Sequence, residues 1–289
     1  MTNSTNDSVA DTAQTNRSPA PTPTPAPLLC KRKDRFRHCL ETSDAERLFL
    51  GLDFDGTLAP HVDDPTSAAM RSGNHKLLER LAAHPKFTVA VISGRELADL
   101  RSRVDVDGIR YAGNHGLEMD TNPPLESPDS VRSTIGRVCG MLERELASID
   151  GVQIENKGIT ASVHYRDVET DGHEPEQLYQ LIDAVVSDAT TDDGKLRLTT
   201  GHDVIELRPP IDWDKGRALR QFIDEETASV IPLFIGDDTT DEDAFSVTRT
   251  AGIGIHVGTA ETLADFQVSG PAAVSELLEW LCETGSECL

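Results

Sequence analysis

Four short apolar runs constrain this chain more than any other feature: Leu48–Leu52, Phe87–Ile92, Ile231–Ile235 and Gly252–Val257. Runs of this length and continuity read as strands buried on both faces. Each ends in small or polar residues, and the first three lead into amphipathic, helix-like stretches. That alternation predicts an α/β domain with helices on both faces of a parallel sheet. Ligands of such sheets sit at the carboxyl ends of the strands, so the chemistry is sought just after these runs.

Residues 119–207 follow a different rhythm. Ser127-Pro128 suits a helix N-cap and first turn, and Val131, Ile135, Val138, Leu142, Leu146 and Ile149 then recur at helical spacing. Two alternating segments follow, Val152–Lys157 and Thr160–Arg166. A second helix starts at Pro175, with Leu178, Leu181, Ile182, Val185 and Val186 on one face. Lys195–Thr200 and Val204–Arg208 close the unit. The order αββαββ predicts an antiparallel sheet covered by helices on one face, inserted as a cap between the second and third strands of the parallel sheet. The chain then divides into a disordered tail with a basic segment at 1–45, an α/β core at 46–118 and 208–289, and the cap at 119–207.

The first strand delivers Asp53-Phe54-Asp55-Gly56-Thr57. Period-two geometry puts both aspartates on one side, and Gly56 lets the backbone turn away. An Asp-rich turn is the plain alternative. The functional reading is a carboxylate that takes a phosphoryl group and a neighbour that protonates the leaving oxygen. The second strand ends in Ser93-Gly94-Arg95, which suits an anion site at a helix start or an ordinary helix cap. The strand ending at Gly236 opens into Asp237-Asp238-Thr239-Thr240-Asp241-Glu242-Asp243, five acids in seven residues. Such a cluster calls for solvent or for a hard cation such as Mg²⁺. Lys215, at a strand-to-helix connection, supplies positive charge that eases attack by an anionic nucleophile on phosphate.

In this order the motifs DxDGT, SGR, K-G and GDDxTDxD resemble the haloacid-dehalogenase superfamily of phosphatases. Ala112–Glu118, Ser162–Arg166, Val204–Pro209 and Gly236–Phe245 look like the trehalose-6-phosphate phosphatases within it. The resemblance covers roughly residues 46–280 and implies a Rossmann-like core with a cap. It implies Asp53 as nucleophile and Asp55 as acid/base. It implies Mg²⁺ held by Asp53, the Asp55 backbone carbonyl and Asp237, with Asp241 in support. Ser93, Gly94 and Lys215 would hold the phosphate, and Glu155, Lys157 and Glu206 the sugar. Arg95 would meet phosphate or pair with an acid. His115, in an Asn114-His115-Gly116 turn, would meet substrate together with Asn114 or only shape the turn. The implied partners are a sugar-phosphate substrate and functional coupling to a trehalose-6-phosphate synthase.

The strand pattern bears on the sugar-binding residues. Gln153, Glu155 and Lys157 share one face of their strand, and Val204, Glu206 and Arg208 one face of theirs. With Ser162, His164 and Arg166 they form a polar face opposite Ile154, Ile205 and Leu207. If helices cover the apolar face, the charges point toward the core, where a disaccharide's hydroxyls need partners; a solvated face is the alternative. Another sugar phosphate (a sucrose phosphate, a mannosyl phosphoglycerate or a broad range) and a non-catalytic sensor are the competing functions.

Composition excludes several classes. The net charge is −23, with 27 basic and 50 acidic residues, which argues against nucleic acid as a partner. The apolar runs are too short to span a membrane, and the N-terminus lacks a signal-peptide core. Cysteines 30, 39, 139, 282 and 288 form no C-x-x-C pair, as expected of a reduced cytoplasmic protein. Residues 1–27 are rich in Pro, Thr, Ser, Asn and Ala, the composition of a disordered tail, and the basic run Lys31–Arg37 reads as a solvated helix face. Only seven of the basic residues are Lys, and the acids are spread along the chain, so a salt-rich cytoplasm is expected to screen them. The melting temperature should therefore rise as KCl goes from about 0.1 M to about 2 M; a flat thermal-melting series would contradict salt adaptation.

Overall fold

Each of the four apolar runs is a strand of one sheet. The computed structural model describes residues 26, 28–62, 64–125, 128–168, 175–190, 196–201 and 203–289. It begins with helix α1 (Lys33–Glu41), followed by β1 (Arg47–Leu52), α2 (Asn74–Ala83), β2 (Phe87–Ile92), α3 (Leu97–Val104), β3 (Arg110–Gly113) and β4 (Glu118–Met119). A second unit comprises α4 (Pro128–Glu145), β5 (Gln153–Asn156), β6 (Ala161–His164), α5 (Pro175–Ala189), β7 (Arg197–Gly201) and β8 (Val204–Arg208). The chain then returns through α6 (Lys215–Asp224), β9 (Val230–Gly236), α7 (Glu242–Ala251), β10 (Ile253–Val257), β11 (Phe266–Val268) and α8 (Pro271–Glu283).

The large sheet runs in the order β11-β10-β9-β1-β2-β3-β4. All its pairings are parallel except β3 with β4. Strand β1 lies at the centre, and its side chains alternate between two apolar layers. Leu48, Leu50 and Leu52 join the layer containing Leu40, Leu78 and Leu278. Phe49 joins Leu219, Phe222, Phe234 and Phe245 on the other side. The sequence order reverses across β1, with β9 on one flank and β2 on the other. That switch opens a crevice at the carboxyl ends, where Asp53, Ser93 and Asp237 follow their strands.

The inserted unit has the sheet order β5-β6-β8-β7, antiparallel throughout. Ile135, Val138 and Leu142 of α4 and Leu178, Ile182 and Val186 of α5 pack on Ala161, Val163, Ile205 and Leu207. The helices thus cover one face and leave the other free to face the core. Ser127 and Lys195, expected to start a helix and a strand, lie outside the described residues.

Three features depart from the sequence reading. Met119, expected to open the cap, pairs with Ala112 and belongs to the large sheet. Strands β3, β4 and β11 give no apolar run in the sequence: each is only two to four residues long, and β4 and β11 are the edges of the sheet. The globular pattern also begins before Arg47: Leu29, Phe36 and Leu40 are buried in the core. Phe36 lies edge-on to Phe266 with ring centroids 5.8 Å apart and 5.6 Å from Trp280. Two apolar residues one helical turn apart suffice to dock α1 while its basic side chains stay in water. The disorder expected of residues 1–27 falls, apart from Ala26, outside the described residues. Phe36→Ala should lower unfolding free energy by about 3 kcal/mol or more in urea titration; a loss under about 1 kcal/mol would remove α1 from the cooperative core.

Candidate active site

The crevice is built from its first buried charge outward. Asp53 leaves β1 at 4% exposure, and Lys215, the first residue of α6, is 3% exposed. Lys215 Nζ donates to Asp53 Oδ1 at 2.8 Å and to Asp241 Oδ1 at 2.7 Å. Burial opposes the Lys215 charge, but Asp241 and Asp53 outweigh it and raise the ammonium's pKa well above its ordinary value. Burial lifts the Asp53 carboxyl well above the usual carboxylate range, against the pull of Lys215 and reinforced by crowding from Asp241 and Asp237. Asp241 Oδ2 accepts the backbone N–H groups of Asp237 and Asp238 at 2.9 and 3.0 Å. Both of its oxygens are therefore engaged, and it locks the acidic loop to Lys215.

The turn after β1 is shaped around Asp237. Gly56 has φ +77°, and a Cβ there would lie 2.1 Å from Asp237 Oδ2. Any larger residue would displace either the turn or the carboxylate. Phe54 points into the core between the two aspartates, so Asp53 and Asp55 both face the crevice. One carboxylate oxygen each of Asp53, Asp237 and Asp241 falls within 4.8 Å of the others. Asp237 Oδ1 is buried without a hydrogen-bond partner. Three carboxylates around one ammonium, with an orphaned oxygen among them, suit a hard divalent cation such as Mg²⁺. His61 Nε2 lies 2.7 Å from the other Asp237 oxygen, and that contact raises the imidazole's pKa. The sequence reading missed His61; the available signal was a histidine in the loop that leaves the Asp53–Thr57 motif.

The acidic run resolves into separate duties. Asp237 faces the crevice, Asp238 caps the turn at Thr239, and Asp241 holds Lys215. Glu242 accepts the Leu263 N–H at 2.7 Å. Asp243 sits near Asp214, and burial followed by repulsion from Asp214 pushes its carboxyl up to about 6.

Ser93 follows β2 and is buried, with its Oγ 3.3 Å from the Arg95 N–H. A Cβ on Gly94 would come within 2.8 Å of the His115 ring, so glycine is what lets the imidazole close over this loop. Arg95 holds both Asp55 oxygens at 2.7 Å, Asp99 at 3.0 Å and the Pro65 carbonyl at 2.9 Å. Its guanidinium lies over the Phe54 ring. Of the two duties foreseen for Arg95, pairing with an acid is the one seen.

Across the crevice stands the polar face of the antiparallel sheet. Glu155, Ser162 and Glu206 are direct neighbours across three strands, and Glu155, Lys157 and Glu206 line the same cavity as Asp53 and Lys215. Its volume is about 340 Å³. His164 and Lys157 lie 3.1 and 3.5 Å from Glu155. Burial disfavours the Glu155 charge, but His164 and Lys157 prevail and hold the carboxyl below its ordinary range. Glu206 is 3.3 Å from His115. There too burial is outweighed, by His115, Lys157 and Arg208. Burial lowers the His115 imidazole's pKa, against the pull of Glu206. Gln153 and Arg166 extend the cavity along the sheet.

Asn114 departs from its expected place. It is fully buried and does not line the cavity. Its amide is used on Glu118 Oε2 at 2.9 Å and the Lys157 carbonyl at 3.0 Å, and it accepts the Thr160 hydroxyl. It therefore ties the core to the inserted sheet and is not positioned to touch a ligand.

The family model of trehalose-phosphatases matches residues 51–273. The trehalose-phosphate phosphatase of Mycobacterium marinum is 41% identical over 237 residues, 78% of this chain and 58% of that protein. The trehalose-phosphate phosphatase of Mycobacterium leprae is 38% identical over 256 residues, covering 81% and 57%. This chain thus spans less than two thirds of those relatives' length. A solved trehalose-6-phosphate phosphatase related protein superposes with a TM-score of 0.70 at 24% identity, covering 83% of this chain and 99% of that one. A haloacid dehalogenase-like hydrolase from Bacteroides thetaiotaomicron superposes at 0.54 with 16% identity, covering 81% and 99%. At these identities the two structures establish the likeness of fold.

Asp243 gives this arrangement a pH signature. Its folded pKa, about 6, exceeds the ordinary 3.8, so its ionisation costs stability as pH rises through that window and costs nothing below it. Thermal melting of Asp243→Asn against the parent should show an advantage for the variant that is absent below about pH 4 and full above about pH 6. A difference that does not change with pH would contradict this.

Proposed function

The chain belongs to the trehalose-phosphatase family, and from that premise we propose that it is a Mg²⁺-dependent phosphomonoesterase releasing trehalose and phosphate from trehalose 6-phosphate. The observation that carries the proposal is a shared cavity. Asp53, Ser93, Lys215 and Asp237 form its floor, and Glu155, Lys157 and Glu206 of the inserted sheet form its roof. A phosphate at the floor would leave the sugar beneath a row of carboxylates and an ammonium, which match hydroxyl groups as acceptors and donor.

Asp53 is the nucleophile in this reading. Lys215 holds Oδ1 at 2.8 Å, which leaves Oδ2 to form the bond to phosphorus while the bond from phosphorus to the sugar oxygen breaks. The proton for that oxygen comes from Asp55, which must first be freed from Arg95, the donor to both its oxygens, and take up a proton from solvent. Asp55 then takes a proton from water, whose oxygen attacks phosphorus and frees Asp53. Ser93 and the Gly94 backbone cradle the phosphoryl oxygens, and Lys215 offsets their charge. Mg²⁺ would be held by Asp53, Asp237 and the Asp55 carbonyl with Asp241 behind, and when bound it supplies further positive charge to the transferring group. The roof excludes bulk water from the phosphorylated carboxylate. All five cysteines are free, in keeping with a reducing compartment, and no described helix is long and apolar enough to cross a membrane.

The test is phosphate release from a panel including trehalose 6-phosphate, sucrose phosphate and glucose 6-phosphate, with Mg²⁺ and after chelation. Trehalose 6-phosphate should be turned over best, and chelation should abolish release. Asp53→Asn should lower kcat by about a thousandfold or more while the circular dichroism spectrum stays that of the folded chain. Preference for a monosaccharide phosphate would overturn the substrate assignment, and a Asp53→Asn enzyme of near-parental kcat would overturn the nucleophile.

A further inference from the structure

We propose that Asn114 is a positioning residue, one that seats the β5–β6 hairpin and thereby places Lys157 and Glu155 over the phosphate-transfer centre. The part of this that concerns substrate rests on the function proposed above; the seating itself rests on geometry alone.

Asn114, His115 and Gly116 have φ of 49°, 57° and 92°. Three successive left-handed residues, two of them not glycine, are rarely adopted without a reason. Their contacts supply one. Gly116 lies against Trp213 and Ala218, where a Cβ would come within 2.9 and 2.4 Å. His115 fills the space between Gly94 and Glu206. Asn114 is turned the other way, toward the tip of the hairpin.

That tip is held at both ends. The Lys157 N–H donates to the Thr160 carbonyl at 2.9 Å and closes the turn. Asn114 Nδ2 donates to the Lys157 carbonyl, and Asn114 Oδ1 accepts the Thr160 hydroxyl. The chemistry dictates the orientation of the amide. The Lys157 carbonyl and the Glu118 carboxylate only accept, so the NH₂ must face them and the Thr160 hydroxyl must donate. Glu118, the other acceptor, is itself fixed by the Leu97 N–H at 3.0 Å and by Arg132 of α4 at 3.2 Å. One amide therefore joins the rigid edge of the large sheet to the hairpin.

The hairpin carries two of the three roof residues. Glu155 and Lys157 share the face that lines the cavity, and Lys157 is the residue whose carbonyl Asn114 holds. If the hairpin lifted, Asn114 would keep Glu118 but lose its bonds to the Lys157 carbonyl and the Thr160 hydroxyl together, so their mutual satisfaction favours the seated position. Asparagine meets every demand here: it tolerates the left-handed backbone and offers a donor and an acceptor on one short side chain.

Asn114→Asp tests this with little change of shape. It keeps the acceptor for Thr160, removes the NH₂, and sets a carboxylate against the Lys157 carbonyl and Glu118. In the full chain without substrate, amide hydrogen exchange over residues 153–162 should speed up about tenfold or more, while β1 and β2 stay as in the parent. KM for trehalose 6-phosphate should rise about tenfold or more, while kcat/KM for p-nitrophenyl phosphate, which carries no sugar, stays within about twofold. Thr160→Val, which attacks the tie from the other side, should reproduce both effects, and Thr160→Ser should restore the parental values. Unchanged exchange in the hairpin, exchange that rises evenly across the core, or an unchanged KM would each overturn the assignment. If the parent enzyme does not hydrolyse trehalose 6-phosphate, the substrate reading fails, and hydrogen exchange in the two variants still decides whether Asn114 seats the hairpin.

Discussion

Lys215 lies inside the protein with Asp53 on one side and Asp241 on the other, and the floor of the crevice is organised around that contact. An ammonium and two carboxylates removed from water are a poor investment for stability alone, since a packed apolar trio would do as well or better. Their geometry instead fixes three separate segments relative to one another: the end of β1, the start of α6 and the loop after β9. Asp241 extends the link by accepting two backbone N–H groups of its own loop. Asp237 is thereby held with one buried oxygen unpaired, in a cluster whose carboxylates outnumber the ammonium.

The inserted unit solves a different problem. Its helices use up the apolar face of the small sheet, which commits the polar face to the core. The rung Glu155–Ser162–Glu206 spans that face at one level, and against the cost of burial its two carboxyls are held low by His164 and Lys157 at Glu155 and by His115, Lys157 and Arg208 at Glu206. Floor and roof thus divide the work. The floor gathers groups suited to phosphorus, and the roof gathers groups suited to hydroxyls. Between them runs the 114–116 turn, which touches the Ser93–Gly94 loop, the start of α6 and the hairpin tip.

Much of this was legible in the residues, for physical reasons. A strand buried on both faces must be apolar throughout, so β1, β2, β9 and β10 stood out. An insertion with one wet face must alternate, so the order αββαββ and the inward direction of Glu155, Lys157 and Glu206 could be read as well. Short strands such as β3 obey neither rule: it has four residues, and Arg110 at its start pairs with Glu225 and Glu226. The buried side of helix α1, whose basic run reads as a solvated helix face, was hidden because two apolar residues among many charges leave little periodic signal. Arg95 was open between phosphate and an acid, and Asn114 was expected at the substrate. Both carry groups that suit a ligand as well as a neighbouring side chain, and only the fold shows that Asp55 and the hairpin tip are already in reach.

The account turns on whether Asp53 forms a covalent bond to phosphorus. The most direct measurement is a single turnover of trehalose 6-phosphate with Mg²⁺, quenched in acid and reduced with borohydride, which converts an acyl phosphate to an alcohol. Mass spectrometry of the digested chain should then find homoserine at position 53 and nowhere else. Reduction at another carboxylate, or release of phosphate with position 53 never modified, would contradict it.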